Sequence, residues 1–184
     1  MCSEARIQCE IRLVDVDELI AAHRPFTSGT RGTPSVSGSR RLGSALIRGG
    51  YVLLYAILEA FVEDLFKESC RLIYPGLSDA NLKLIFKETS EKFNTATPTN
   101  IDKLYLNVGL PFITSTIRWQ KKSNDKFKSW LESLVQRRGS IAHGKCPGVQ
   151  KRWLEADLKA GRKFVSVFES VVSQRIEELI GTAP

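Results

Sequence analysis

The sequence feature that most constrains the fold is a long apolar segment, residues 45–74, which ends at Pro75. Large apolar side chains recur along it every three or four residues: Leu54, Ile57, Leu58, Phe61, Val62 and Leu65. This spacing places them on one face of an α-helix. The segment is also several times longer than a typical strand of about 5–6 residues. It therefore predicts one long central helix, around which the rest of the chain packs.

The remaining segments show the same helical periodicity, and no stretch alternates apolar and polar residues as a strand does. The predicted shorter helices cover residues 5–23, 79–87, 101–108, 124–139 and 158–180. Two polar stretches are predicted as loops: residues 25–44, which are rich in Gly, Ser and Thr and expected to be mobile, and residues 88–100. A chain of 184 residues fits one domain. We therefore predict a single all-α domain over residues 1–184, with extra short helices and two long loops.

Positive charge is concentrated in residues 118–163, here called the basic segment. It contains thirteen Lys or Arg against four Asp or Glu, a net charge of +9, whereas the rest of the chain carries −2 and the whole chain +7. A basic region this local suits a polyanion, most simply a nucleic acid. The alternative is a solvated basic surface that keeps the protein soluble. The charge alone leaves both interpretations open.

Neither a membrane span nor a secretory leader is expected from the sequence. The longest run without a charged residue, Leu104–Ile117, contains Gly109 and Pro111 and is shorter than the ~20 apolar residues that a spanning helix needs. The N-terminus carries Glu4 and Arg6 where a signal peptide would have its apolar core. We therefore expect a cytoplasmic protein without a membrane partner.

Cysteine and histidine are too few and too scattered for a metal centre. The four cysteines are Cys2, Cys9, Cys70 and Cys146, and none form a CxxC pair. The two histidines, His23 and His143, are about 120 positions apart and lack the ligand spacing of a zinc site. The sequence therefore predicts reduced thiols, no metal site and no cofactor.

One part of the basic segment, residues 136–145, contains the pattern R-x4-H, formed by Arg138 and His143. On an ideal helix five residues span about 140° of net rotation and about 7.5 Å of rise, so these side chains would point to different faces. They converge only if the helix bends or ends between them, and Gly139 and Gly144 permit either. The pattern therefore predicts a helix terminus, at which a polar loop follows a packed helix.

Two segments resemble HEPN domains, a superfamily of mainly α-helical domains associated with nucleic acids and nucleotides. Residues 137–144, RRGSIAHG, are similar to the RRNxIAHG form of the RiboL-PSP-HEPN subgroup, and residues 53–64, LLYAILEAFVED, are similar to its LLYAxxEGFVED core helix. The chain departs from these forms at Gly139, where active members most often have Asn, Asp or His, and at Ala60, where Gly is usual. The resemblance implies a HEPN-type antiparallel helical bundle.

The resemblance also implies a function, because many HEPN proteins are metal-independent endoribonucleases. In that chemistry the 2′-OH of RNA attacks its own phosphate, which leaves a 2′,3′-cyclic phosphate and a 5′-OH. His143 would act as general base or acid, and Arg138 would hold the phosphate and stabilise the charge that develops on it. HEPN domains generally form two-fold dimers. The resemblance thus implies RNA as substrate, a homodimer, and a toxin or phage-defence role with an antitoxin or defence-system protein as a further partner.

Five further residues are candidates for supporting this pair. Arg137 and Lys145 would contact neighbouring phosphates, unless their side chains are only solvated. Glu59 and Glu63 would orient the motif arginine or histidine; the alternative, a helix-surface acid, is favoured for Glu59. Ser140 would either support the motif histidine or only cap a turn.

The alternative function is a catalytically inactive HEPN module that binds RNA, a nucleotide or a protein partner. Gly139 favours this alternative. The intact pair of Arg138 and His143 inside the basic segment favours the nuclease, which is the prediction made here.

Overall fold

Helices make up the structure, and four of them surround one core. The computed structural model describes residues 2–23, 39–90, 93, 95–118, 123–145 and 148–181. The elements in these ranges are α1 (Glu4–Ala22), α2 (Ser39–Ile73), α3 (Asp79–Ser90), α4 (Pro98–Leu106), a 3-10 turn (Ile113–Thr116), α5 (Asn124–Ala142) and α6 (Lys151–Gly181). No strand occurs in these ranges. The all-α prediction is therefore confirmed.

Helices α1, α2, α5 and α6 form the bundle, and α2 lies at its centre because it contacts the other three. Pairs of contacting residues give the helix directions. Arg12 of α1 pairs with Asp64 of α2, while the Ala5 N–H donates to Glu68, so these two helices run antiparallel. Contacting residues of α2 and α6 increase in number together, so these two helices run parallel. Contacting residues of α5 and α6 follow opposite orders, so α5 is antiparallel to α6 and therefore to α2. The result is an up-and-down bundle, as the family resemblance implies.

Aromatic rings and one close backbone approach join α2 to α6. Phe61 meets Phe164 and Phe168 edge to face, with ring centroids 6.2 and 6.3 Å apart. Gly50 lets the start of α6 approach α2, since a Cβ at this position would lie only 2.5 Å from Cδ2 of Leu154. This contact fixes the first turn of α6 beside the part of α2 that carries the candidate site.

Helix α4 holds the residue before its cap, Ala96, against α2. Thr97 caps α4, since its side chain accepts a hydrogen bond from the Asn100 N–H at 3.2 Å. Pro98 occupies the first turn, where its missing N–H would have no partner in any case. The predicted start of this helix at residue 101 is therefore three residues late.

Other predicted boundaries are wrong because helices extend beyond their apolar parts. Helix α2 begins at Ser39, so residues 39–44 of the predicted loop 25–44 are helical, and residues 24–38 lie outside the described residues. Helix α6 begins at Lys151 rather than at residue 158. Extending an existing helix costs far less than starting one, so a packed segment propagates into polar or Gly-rich flanks.

Helix α2 has one more property that the sequence argument missed. Over Leu42–Ile73 it is long and apolar enough to cross a membrane by length and composition. Isolated charged residues divide this segment, so it contains no long uncharged run. Half of the most apolar window is buried inside the bundle. A central helix that contacts neighbours on several sides has the same composition, so the packing accounts for the apolarity.

Candidate functional site

Helix α5 ends at the R-x4-H motif in a turn that requires glycine. The Gly144 N–H donates to the Ile141 carbonyl and the Lys145 N–H to the Ser140 carbonyl, both at 3.0 Å. Gly144 has φ +73°, the left-handed conformation of a Schellman motif. His143 is the C-cap residue. The predicted helix terminus is therefore confirmed, but the helix continues through Gly139 to Ala142 and does not stop at residue 139. On this regular helix the side chains of Arg138 and His143 leave α5 about 140° apart, so they do not converge within one chain.

The motif pair lies on the last turn and the cap of α5, and neither residue is fully buried. Arg138 is half-buried on the last turns of α5, and His143 is exposed at the cap. Among the described residues, neither side chain forms a salt bridge or a hydrogen bond. A guanidinium and an imidazole so placed can both approach a phosphodiester from solvent.

The guanidinium of Arg138 lies over the ring of Tyr55, with Cζ 5.6 Å from the ring centroid. The Tyr55 hydroxyl donates to Oε1 of Glu59 at 3.1 Å, and the Ala96 N–H donates to the same oxygen at 3.2 Å. Burial raises the pKa of Glu59, while these two hydrogen bonds and the positive charge of Arg138 offset part of the rise. Glu59 therefore acts on Arg138 through its charge and is not a solvated surface acid. The surface-acid interpretation of this residue is wrong.

In contrast to Arg138, the guanidinium of Arg137 is bound by a carboxylate. It lies 4.7 Å from the ring centroid of Tyr51, and its Nη1 is 2.7 Å from Oδ2 of Asp157. The same carboxylate accepts hydrogen bonds from the Tyr51 hydroxyl at 3.0 Å and from Nε1 of Trp130 at 3.1 Å. Asp157 thus joins α2, α5 and α6 at one point, and Arg137 is part of that junction.

The two segments that carry the family resemblance therefore meet in space, since the core helix supplies the tyrosine and the glutamate around Arg138. Residues 16–174 match the model of the RiboL-PSP-HEPN family. The chain belongs to this family. The HEPN domain family generally includes RNase-type domains. No curated protein and no solved structure matches the chain significantly.

Three further candidate residues, Glu63, Ser140 and Lys145, differ in how they relate to the R-x4-H motif. Glu63 is half-buried one turn beyond Glu59; burial raises its pKa, and the charges that act on it come from Lys67, Glu59 and Asp64 rather than from the motif arginine. Ser140 closes the helix through its backbone carbonyl, which accepts the Lys145 N–H. The side chain of Lys145 is exposed directly after the motif. Lys145 is thus an exposed cation beside the motif, and the charges that act on Glu63 do not include that of the motif arginine.

Two tyrosines contact the motif arginines, and the sequence analysis did not identify them as residues of the candidate site. Tyr51 and Tyr55 are each 1% exposed and belong to the core. Their rings also support Arg137 and Arg138, however. Burial raises the pKa of both hydroxyls, which therefore stay protonated and act as donors. Their four-residue spacing on the core helix was the available signal.

No group of three or more His, Cys, Asp or Glu side chains in the described part of the chain is arranged to hold a metal ion. Cys9 and Cys70 are buried free thiols and Cys2 is an exposed one, while Cys146 lies outside the described residues.

Proposed function

We propose that this protein is a metal-independent endoribonuclease. The observation that carries the proposal is the placement of an exposed imidazole, His143, and of a half-buried guanidinium, Arg138, at one end of α5, where no described group binds either by a salt bridge or a hydrogen bond. Imidazole transfers protons near neutral pH, and a guanidinium stabilises negative charge on phosphate oxygens. RNA supplies its own nucleophile, the 2′-OH, so the protein has to provide only proton transfer and stabilisation of charge.

In the proposed reaction His143 removes the proton of the 2′-OH while O2′ forms a bond to phosphorus. The bond from phosphorus to O5′ breaks, and O5′ takes a proton from a second, protonated imidazole. Arg138 compensates the negative charge on the non-bridging oxygens in the transition state. The products are a 2′,3′-cyclic phosphate and a 5′-OH. DNA lacks the 2′-OH and is not a substrate.

The proposal includes a homodimer, because one imidazole cannot take and give a proton in the same step. A two-fold axis beside the C-terminal end of α5 and the adjoining part of α2 would bring two copies of Arg138 and His143 to one cleft. Equilibrium sedimentation at micromolar concentration tests this arrangement. A species of 20.6 kDa alone would contradict it.

The basic segment supplies the remaining affinity for RNA in this proposal. Lys145 is exposed beside the motif, whereas Arg137 is already bonded to Asp157. A phosphate contact by Lys145 should therefore contribute more to binding. Each phosphate neutralised adds about 0.7 to the slope of log affinity against log salt for a single strand, so Lys145→Ala should flatten this slope and Arg137→Ala should flatten it less.

We further propose a toxin or phage-defence role in the cytoplasm. A nuclease that needs no metal or cofactor cannot be controlled by supplying one, so restraint would come from an antitoxin or defence-system protein. Co-expression is the direct check: the nuclease alone should arrest growth, and its partner should relieve the arrest.

The decisive experiment is incubation of the purified protein with mixed RNA in EDTA. Wild type should cleave, EDTA should have no effect, and a 2′-deoxy substitution at the cut site should block the reaction. His143→Ala should lower the rate about 10²–10⁴-fold. Its melting temperature should be unchanged because His143 is exposed. Cleavage by His143→Ala at the wild-type rate would refute the proposal.

Gly139 supports the second candidate, a non-catalytic module that binds RNA, a nucleotide or a protein. A side chain at this position would meet no neighbour within 4 Å, so the missing polar group is not excluded by packing. RNA binding without cleavage by the wild-type protein would favour this alternative. Gly139→Asn would then show whether the polar side chain restores activity.

A further inference from the structure

Trp153 is an exposed aromatic residue in the first turn of α6, and 40% of its surface is accessible to solvent. The adjacent residue Arg152 is exposed as well. Indoles are large and usually packed, so a tryptophan left open beside a cation needs an explanation. Its position relative to α5 bears on that explanation.

The side of α6 that faces α5 can be followed by its contacts. Phe164 stacks on Phe127 with centroids 5.6 Å apart, and Asp157 binds Arg137. Residues four apart lie on the same helix face, so Trp153 continues this side one turn before Asp157. Because α5 and α6 are antiparallel, this turn lies level with the end of α5.

The rise per residue places Trp153 and the end of α5 at nearly the same level of the bundle. From Arg137 to His143 the chain advances about 9 Å along α5, and from Asp157 to Trp153 about 6 Å along α6 in the same direction. Trp153 therefore lies about 3 Å short of the level of His143 along the bundle axis. An open aromatic ring and the motif histidine thus lie at the same end of the bundle.

We propose that Trp153 is a stacking platform for an unpaired base next to the phosphate that is cleaved. The proposal rests on the proposed function and deepens it, because it names single-stranded or loop RNA as the substrate class. Stacking on an aromatic ring requires a base that is unpaired and turned out of a duplex. Arg152 precedes Trp153 and Lys145 follows the motif histidine, so both exposed charges lie at this end of the bundle and would hold the backbone near the base.

The test uses a 2′-O-methyl single strand, which cannot be cleaved, and a duplex of the same sequence. Trp153→Ala should weaken binding of the single strand about 5- to 150-fold and leave duplex binding unchanged. Trp153→Phe keeps an aromatic face and should retain most of the affinity. In cleavage of unmodified RNA, Trp153→Ala should raise KM with little change in kcat, because the indole touches a base and not the reacting atoms.

Tyr74→Ala is the matched control, since Tyr74 is another partly exposed aromatic residue, 38% accessible, after the end of α2. It lies about 35 Å along α2 from Gly50, which packs against the first turn of α6. This variant should bind the single strand as wild type does. An equal loss in both variants would overturn the platform, because it would indicate a general loss of folding or charge.

The outcomes separate this inference from the nuclease proposal. Trp153-dependent binding without any RNA cleavage supports the platform and refutes the nuclease. RNA cleavage with unchanged binding and KM in Trp153→Ala overturns the platform and leaves the nuclease intact. Dissociation of a dimer by Trp153→Ala, seen by sedimentation, would place the indole at a subunit interface and also overturn the platform.

Discussion

Two consecutive arginines at the end of α5 both lie over a tyrosine ring, but only one of them forms a salt bridge. Arg137 lies over Tyr51 and Arg138 over Tyr55, and these tyrosines are one turn apart on α2. Arg137 also forms a salt bridge at 2.7 Å with Asp157. Among the described residues Arg138 forms none. A basic pair in the sequence is therefore divided by the fold into one structural cation and one accessible cation.

The difference comes from how each nearby carboxylate is occupied. Asp157 accepts bonds from Tyr51, Trp130 and Arg137, which lie on two different helices. Glu59 accepts bonds from its own helix and from the Ala96 N–H instead. It therefore influences Arg138 by charge while leaving the guanidinium donors available. The comparison teaches that the acid partner, and not the arginine itself, decides which cation can meet a substrate.

The largest expected effect is on catalysis, and it should separate the two arginines. Arg138→Ala should lower the cleavage rate about 10²–10³-fold, equivalent to about 2.7–4 kcal/mol of transition-state stabilisation. Its unfolding midpoint should change little because no described ion pair is lost. Single-turnover cleavage and urea unfolding measure the two quantities. A greater loss of cleavage in a fully folded Arg137→Ala protein would reverse the comparison.

Arg137→Ala should act on stability instead. It removes one of three donors to Asp157, whose side chain is only 16% exposed, and should cost about 1–3 kcal/mol. Urea unfolding of Arg137→Ala, Asp157→Ala and the double variant gives the coupling energy of the pair. Additive effects of the two single changes would show that the salt bridge contributes nothing to the junction.

Replacement of Gly139 should change the stability by less, and should raise it. This glycine is helical and has open space around it, so Gly139→Ala should stabilise the protein by about 0.5–1 kcal/mol. Gly50→Ala is the matched control and should destabilise it, since the new methyl would lie 2.5 Å from Cδ2 of Leu154. Equal shifts of the melting temperature in the two variants would mean that the packing at one of these glycines differs from that described.

The smallest expected effect is on Glu59 and depends on pH. Burial raises the pKa of this group in the folded protein, so its charge costs stability above that pKa, and the cost disappears as the pH falls toward the ordinary value of 4.5. Glu59→Gln should therefore raise the melting temperature at pH 7–8 and match wild type near pH 4. It should also lower cleavage, because Arg138 loses a balancing charge. Melting curves across this range that stay parallel would contradict the assignment.

Much of the fold could be predicted because it follows from local patterns. The apolar spacing in residues 45–74 identified α2, and the predicted start of α5 at residue 124 agrees with the structure. The start of α6 could not be found in this way. Lys151 and Arg152 are polar, and the helix extends to them because Leu154 packs against Gly50, a residue about a hundred positions earlier.

Part of the candidate site can likewise be predicted from local sequence, and part depends on contacts between distant segments. The R-x4-H pair and its helix terminus are readable from the sequence, because Gly144 is the residue that a left-handed helix cap requires. That Arg137 is bonded and Arg138 is accessible could be learned only from the tertiary structure. The acids concerned come from α6 and from the middle of α2, and only packing of these helices on α5 places Asp157 and Glu59 beside them. Local sequence determined which groups are present at the end of α5, and contacts between distant segments decided which of them remain available to a substrate.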